Sequence, residues 1–381
     1  MLRIMTGNAG TTYSSAGVDI ESGDRASRIL YDAAKATWAN REGRFGSVVS
    51  PFDDFSGFRA VDVSGLPSGS MMCLGFDGVG TKVELGERTG RYDTLAFDLF
   101  AMVCDDAIVR GGEPVVVGSI LDVNTLSGDQ VDCVQQMADG YVRAAKAAGV
   151  AVINGELAEL GARVSGYGDF NFNWGAGLVW FARKDRLFSG FEIKAGDHLV
   201  GIEEKGFRSN GLSLVRKVFS DAHGNDWHSK RLGNSTLGEL ALEPSIIYSK
   251  AACELYGGFD QEPRCDVHGI CHVTGGGLPG KLGRVLKPSG LGAVVDNPMQ
   301  PPEIMLHCQE LGGVDDREAY RTWNMGQGLV IITPDPDSVR SILDEFGMTS
   351  QTIGRVVDDR GITITSRGAM SSGERLRFDQ V

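Results

Sequence analysis

Hydrophobic positions along this chain switch between two spacings. Residues 70–76 (SMMCLGF) form a short apolar run bounded by polar sequence, the pattern of a buried strand. In 92–110, Leu95, Leu99, Met102, Val103 and Val109 recur near 3.6-residue spacing and Gly111-Gly112 follow, so the stretch reads as a helix with a stop. The β-branched run 114–123 predicts a strand, and 128–149 a second helix with Asp129 in its N-cap region. Residues 150–155 read as a strand, and 172–183 (FNWGAGLVWFAR) as a long aromatic one.

The chain turns polar around 184–196 and then restarts with HLVGIEE at 198–204. This places a boundary between an N-terminal domain, 1–183, and a C-terminal domain, 184–381. In the second half, 210–222 and 244–258 read as helices, the latter with Pro244 at its start. Residues 291–296, 328–334 and 361–366 read as strands, and 335–347 as a helix ending on a glycine. Strands and helices are mixed in both halves, which is an α+β pattern.

Composition narrows the function classes. With 381 residues and 42% hydrophobic content, the chain is long enough for two domains with their own cores. A formal net charge of −13 disfavours a nucleic-acid backbone as partner, while leaving a small phosphorylated substrate open. No run of 18 apolar residues predicts a membrane span. The opening MLRIMTGNAGTTYSSAG lacks the apolar core of a signal peptide, so the expected location is cytoplasmic. The seven cysteines contain no C-x-x-C pair and are expected to be reduced core thiols.

The candidate chemistry starts at 73–82, CLGFDGVGTK. Gly75 and Gly80 have P-loop spacing, but Thr81-Lys82 reverses the P-loop order and Asp77 sits inside the loop. On the next helix, positions 98 and 105 differ by about 700°, so Asp98 and Asp105 share a face to within about 20°. Acids on an apolar helix face need a partner or a metal. Asp77, with Asp105 or Asp106, is the candidate Mg²⁺ set, since Mg²⁺ takes one or two carboxylates plus phosphate oxygens. Glu156 and Glu159 follow a strand, where sites in mixed folds collect. The turn 206–211 opens a helix. Ser209 and Asn210 are suited either to capping it or to holding an anion, with Arg208 and Arg216 adding charge. Thr274-Gly275-Gly276-Gly277 leads into the helix LPGKLGRVL and reads as an anion nest. His272 beside it is the candidate for proton transfer, against the plainer reading of a structural histidine, which also applies to His268.

Taken together, YSSAGVDIESGD (13–24), GFDGVGTKVEL (75–85), YDTLAFDLFAMVCDDAIVRGGEP (92–114), NGELAEL (154–160), RSNGLSLVRK (208–217), VHGICHVTGGGLPGKLGRVL (267–286) and YRTWNMGQGLVI (320–331) occur in the order and spacing of one family. The chain resembles the phosphoribosylformylglycinamidine cyclo-ligases, also called aminoimidazole ribonucleotide synthetases, from about Tyr13 to about Ile364. The resemblance implies a two-domain α+β subunit, dimeric, with the N-terminal domains pairing into a shared β-barrel. It implies an enzyme of purine biosynthesis that uses ATP and Mg²⁺, admits a monovalent cation, and converts formylglycinamidine ribonucleotide to aminoimidazole ribonucleotide, ADP and phosphate.

Carried over by position, Asp77, Gly78, Val79, Gly80, Thr81, Lys82 and Glu156 look like the nucleotide side, with Asp77, Asp105 and Asp106 around the metal. Arg208, Ser209, Asn210, Gly211 and Thr274–Gly277 look like substrate and phosphate contacts. Lys82, Asp106 and His272 are the catalytic candidates. The chemistry expected is phosphorylation of the formyl amide oxygen to an iminophosphate, attack of the amidine nitrogen on that carbon, and loss of phosphate as the ring closes.

Three positions depart from the family pattern. Leu157 stands where the family has Thr, Arg208 where it has His, and Tyr31 where it often has Lys, while Asp53-Asp54 form an unusual addition. These leave open a paralogue with another substrate, or a non-catalytic binding protein. The related selenophosphate synthetases are disfavoured by the absence of a reactive Cys in the N-terminal glycine loop. The hydrogenase-maturation relatives are disfavoured by the ending RLRFDQV, which carries no terminal Cys.

Overall fold

The computed structural model describes residues 19–50 and 59–379. Asp53-Asp54 and residues 13–18 of the first family motif lie outside them.

Helix α1 (Ile20–Ala36) precedes an open four-stranded sheet. The sheet is built from β1 (Ser70–Gly78), β2 (Glu113–Val123), β3 (Ala151–Glu159) and β4 (Phe172–Arg183), in the order β1-β4-β2-β3. Strands β2 and β3 are parallel and the other pairs antiparallel. Three helices lie between these strands in sequence: α2 (Val83–Thr89), α3 (Leu95–Ile108) and α4 (Gly128–Ala148). Helix α3 is apolar nearly all round, which is why it is buried along its length. It shares one core with α4 and with the inward residues of the sheet, among them Leu99, Tyr141, Trp174 and Leu178.

Among the described residues, nothing covers the other face of that sheet. Met72 and Phe76 on β1 are 68% and 76% exposed, Leu74 between them 61%, and Ile120 on β2 55%. Leu74, Phe76 and Ile120 line a wide, mainly apolar concavity together with Val117, Ile153 and Val179. The four strands do not close into a barrel by themselves.

The second half forms a seven-stranded sheet. Its elements are β5 (His198–Glu203), α5 (Leu212–His223), α6 (Ser249–Tyr256), β6 (Gly269–His272), α7 (Gly277–Leu286), β7 (Gly292–Val295), β8 (Gln327–Thr333), α8 (Pro336–Glu345), β9 (Ser350–Val357), β10 (Ile362–Thr365) and β11 (Arg375–Phe378). The order is β6-β8-β5-β9-β7-β10-β11, with only β7 and β10 parallel. Strand β8 is buried at every position, as expected for a central strand.

Several sequence expectations shift at element ends. The helix expected from Pro244 begins at Ser249, and its free N–H groups are taken by Asp105, as described below. The N-cap of α4 is Ser127, whose N–H donates to Gln130 Oε1 at 2.7 Å, with Asp129 in the first turn. Strand β3 runs on to Glu159 because it pairs in parallel with β2 through Val123, so Glu156 is a strand residue opposite Ile120 and not a post-strand loop residue.

Candidate active site

The DGVGTK loop leaves the end of β1. Asp77 is the penultimate residue of that strand, and its Oδ1 accepts the Gly78 N–H at 2.7 Å. Gly78 lies so close to the Trp174 carbonyl that a Cβ there would stand 3.0 Å from it. Gly80 turns the chain with φ +64°, a conformation glycine adopts freely. Thr81 is exposed.

Lys82 goes the other way. Its Nζ donates to Asp98 Oδ1 at 2.7 Å and to the Glu243 carbonyl at 2.6 Å, and both side chains of the pair are 0% exposed. Asp98 Oδ1 also accepts from Ser245 Oγ at 2.5 Å. The lysine that looks like a phosphate ligand in the sequence is thus enclosed, tying the loop to α3 and to the segment before α6.

Asp105 is similarly enclosed. Oδ1 accepts the N–H groups of Tyr248 (3.0 Å) and Ser249 (2.9 Å), so this carboxylate sits on the N-terminus of α6, where the helix dipole favours a negative charge. Oδ2 lies 3.2 Å from Arg208 Nη2. Burial pushes the pKa of Asp105 up to about 7, against the pull of Arg208. Both oxygens are occupied, and neither is presented to a ligand.

Asp106, one residue on, points out of the core with its side chain 60% exposed. Its Oδ1 lies 2.7 Å from His272 Nδ1, at the end of β6. Burial of the site works to raise the Asp106 carboxyl. The His272 hydrogen bond and the charges of Lys281 and Arg208 outweigh it and hold the group below the ordinary carboxylate range. Asp77 shifts upward instead, through burial and through the negative charge of Asp106, with Lys281 opposing. Two carboxylates from β1 and α3 therefore lie within each other's field, an arrangement that a divalent cation would relieve. Among the described residues no cluster of three or more His, Cys, Asp or Glu forms a complete metal cage. Two carboxylates, with phosphate oxygens completing the shell, are what Mg²⁺ at a nucleotide requires.

Lys281 is the cation the sequence reading passed over. It stands on α7, one turn past Gly277, and its charge reaches Asp77, Asp106 and His272. No described residue forms an ion pair with it.

The substrate-side residues come together around these acids. Arg208 is fully buried and bonded to Glu204, Asp105 and His272. Gly211, with φ +73°, is the N-cap of α5, and neither Ser209 nor Asn210 caps that helix. Ser209 Oγ is buried without a hydrogen-bond partner. Asn210 Nδ2 donates to Met102 Sδ at 3.6 Å. A Cβ on Gly80 would stand 3.9 Å from the Ser209 carbonyl, and one on Gly275 would stand 3.6 Å from Asn210 Oδ1. The 78–81, 208–211 and 274–277 segments thus converge. Gly276 (φ +95°) and Gly277 (φ +60°) make two successive left-handed turns, and Gly277 N–H closes on the Thr274 carbonyl at 2.9 Å. Arg216 faces away and pairs with Glu84.

His272 is buried between Arg208 Nη2 (2.8 Å from Nε2) and Asp106. Burial pushes its pKa down to about 4, against the pull of the Asp106 hydrogen bond. His268 pairs with Asp197 at 2.7 Å and is structural. Glu156 is on the opposite edge strand of the sheet from Asp77, and both border the open concavity over the sheet face. It lines a cavity of about 420 Å³ between α1 and the sheet, with Tyr31, Leu157, Arg59 and Trp174. Arg59 lies over the Tyr31 ring at 4.8 Å.

Residues 60–173 match the AIR synthase related protein N-terminal domain and 194–367 the corresponding C-terminal domain. Phosphoribosylformylglycinamidine cyclo-ligase of Anaeromyxobacter sp. (strain Fw109-5) is 35% identical over 349 residues, covering 91% of this chain and 95% of that protein. The same-named protein of Nitrosococcus oceani is 32% identical over 372 residues, 97% of this chain and 95% of its own length. Among solved structures, E. coli HypE, a hydrogenase maturation protein, superposes with TM-score 0.60 at 14% identity, covering 94% of this chain and 97% of its own. Thiamine-monophosphate kinase from Stenotrophomonas maltophilia K279a superposes with TM-score 0.59 at 15% identity, covering 91% and 97%. At these identities the structural likeness concerns the fold.

Proposed function

The chain belongs to the phosphoribosylformylglycinamidine cyclo-ligase family, and we propose that it closes the imidazole ring of aminoimidazole ribonucleotide from formylglycinamidine ribonucleotide, with release of ADP and phosphate. The observation that carries this is identity of 32–35% with cyclo-ligases over at least 91% of the chain. The closeness of Asp77 to Asp106, and the approach of the 78–81, 208–211 and 274–277 segments to one another, support it.

ATP supplies the phosphoryl group that turns the formyl amide oxygen into a leaving group. Asp77 and Asp106 would hold Mg²⁺ at the phosphates, and the cation would supply the neutralisation of phosphoryl charge there. Lys281, whose ammonium is not committed to another described residue, takes the phosphoryl contact that Lys82 cannot reach from inside the core. The Thr274–Gly277 loop offers backbone N–H groups to the substrate phosphate. The buried, unpartnered Ser209 Oγ and the Asn210 amide orient the amidine end. Positioning and charge neutralisation are the main demands of phosphoryl transfer, and these residues meet them. His272 has both ring nitrogens engaged, so the base that accepts the amidine proton is another group or water.

The active form is a homodimer in this reading. The bare apolar face of the four-stranded sheet is where a second copy packs, and pairing of two such sheets forms the barrel.

A second reading, an ATP-dependent enzyme of the same family with a different substrate, draws on Tyr31 and Leu157, departures that both line the cavity beside Glu156. One assay separates the two. Purified protein with ATP, Mg²⁺ and formylglycinamidine ribonucleotide is expected to release ADP in step with aminoimidazole ribonucleotide. Absence of substrate-dependent ADP release rejects the ring-closing reading.

A further inference from the structure

Arg208 stands at the head of a line of side chains that ends on Asp106. Its backbone has φ +59°, a left-handed conformation that is unfavourable for a non-glycine residue. Four contacts hold it there. Nη1 donates to Glu204 Oε2 at 2.7 Å and to the Ile246 carbonyl at 2.9 Å. Nη2 lies 3.2 Å from Asp105 Oδ2 and 2.8 Å from His272 Nε2.

A guanidinium has donors only and keeps its protons in a protein. His272 Nε2 therefore accepts from Arg208, and the ring carries its one proton on Nδ1. That nitrogen is 2.7 Å from Asp106 Oδ1 and donates to it. The hydrogen bonds run one way, from Arg208 through His272 to Asp106. One carboxylate oxygen is fixed, and Oδ2 is left for another ligand. Ligating groups in metal sites are commonly oriented by such a second layer, and its loss typically weakens metal affinity about 10- to 100-fold.

We propose that Arg208 is a positioning residue which, by fixing His272 as its Nδ1–H tautomer, aims the Asp106 carboxylate at the divalent metal of the nucleotide. This rests on the reading of Asp106 as a metal ligand given above. It gives Arg208 a role distinct from direct contact with substrate phosphate, and distinct from simply neutralising Glu204 and Asp105.

The first test needs no variant. In ¹⁵N-histidine-labelled wild-type protein without nucleotide, a long-range ¹H–¹⁵N correlation is expected to show His272 protonated at Nδ1 and bare at Nε2. A ring protonated at Nε2 near neutral pH overturns the proposal. The second test reads Mn²⁺ binding by electron paramagnetic resonance in the presence of ATP, with no turnover required. His272→Asn, whose amide reproduces the Nδ1–H donor, is expected to stay near the wild-type affinity. His272→Ala and Arg208→Lys are expected to weaken it about 10- to 100-fold. Equal affinity in wild type, His272→Ala and Arg208→Lys overturns the proposal. If Arg208→Lys does not fold, the wild-type tautomer and the two His272 variants still decide. Failure of the ring-closing reading appears separately, as a wild-type protein that releases no ADP in response to substrate while its tautomer and Mn²⁺ affinity read as expected.

Discussion

Lys82 Nζ donates to Asp98 Oδ1 at 2.7 Å with both side chains wholly out of contact with solvent. Removing one partner of a buried ion pair strands the other charge and costs about 3–5 kcal/mol. Lys82→Met is therefore expected to lower unfolding free energy in urea by about that amount. The double variant Lys82→Met/Asp98→Leu is expected to be more stable than Asp98-containing Lys82→Met. A Lys82→Met protein of wild-type stability that has lost only turnover would return this lysine to the reacting atoms.

Asp77 and Asp106 carry the metal in this reading. Asp106→Asn and Asp77→Asn are each expected to lower turnover by about 100-fold or more, the scale of a lost transition-state charge contact. Melting temperature is expected to change little, because Asp106 is exposed and its loss strands no buried cation. Steady-state kinetics at saturating Mg²⁺, with a melting curve for each protein, check this.

Lys281→Met is expected to raise the dissociation constant for ATP about tenfold or more, while Lys281→Arg retains most of the affinity. Isothermal titration with ATP and Mg²⁺ reads it. An unchanged constant in Lys281→Met would leave the phosphoryl group to other donors.

Phe76, on the edge strand β1, is 76% exposed on the open sheet face and lines its apolar concavity. A charge placed there is costly to bury, so if the proposed dimer forms through this face, the wild type is expected to run as a dimer and Phe76→Glu as a monomer. Light scattering after size-exclusion chromatography measures this, and a dimeric Phe76→Glu would place the interface elsewhere.

Asp316 gives a pH signature separate from the Asp77–Asp106 pair. Burial alone would raise its carboxyl. It accepts instead from Ser366 Oγ (2.5 Å), the Met370 N–H (3.0 Å), Gln309 Nε2 (2.8 Å), and Ser371 N–H and Oγ (3.0 Å each), and these donors hold its pKa below the ordinary value. A carboxyl depressed in the folded state stabilises it above the unfolded pKa, about 3.9, and that contribution disappears as pH falls through the folded value. The stability advantage of wild type over Asp316→Asn is expected to be full at pH 6 and to shrink below about pH 4 in denaturant titrations.

The periodic elements were legible in the sequence. Strand 172–183 has the bounds read for it, and α3 lies within 92–110, because an apolar helix or strand of that length has few other ways to satisfy its backbone. The shared face of Asp98 and Asp105 on α3 is also visible in the sequence. Asp98 and Asp105 are both buried and both partnered, but their partners, such as Ser245 at 147 residues' separation, lie where no local pattern points.

Side-chain direction was the harder part. A lysine closing a glycine loop has the same sequence signature whether it faces phosphate or core, and only the later segment 243–245 folding over Lys82 decides. The Asn154-Gly155 pair resembled a strand end, but parallel pairing carried β3 through it to Glu159. Lys281 did leave a signal, four residues past Gly277 and so on the same helix face, hidden by the stronger pattern of the glycines before it.

The ring-closing chemistry itself has a direct isotopic readout. Formylglycinamidine ribonucleotide labelled with ¹⁸O in its formyl oxygen is turned over with ATP and Mg²⁺ in unlabelled water, and the released phosphate is analysed by mass. Transfer of one labelled oxygen into each phosphate, in step with ADP and aminoimidazole ribonucleotide, is the expected result. Phosphate free of label, or no ADP released in response to the substrate, would contradict it.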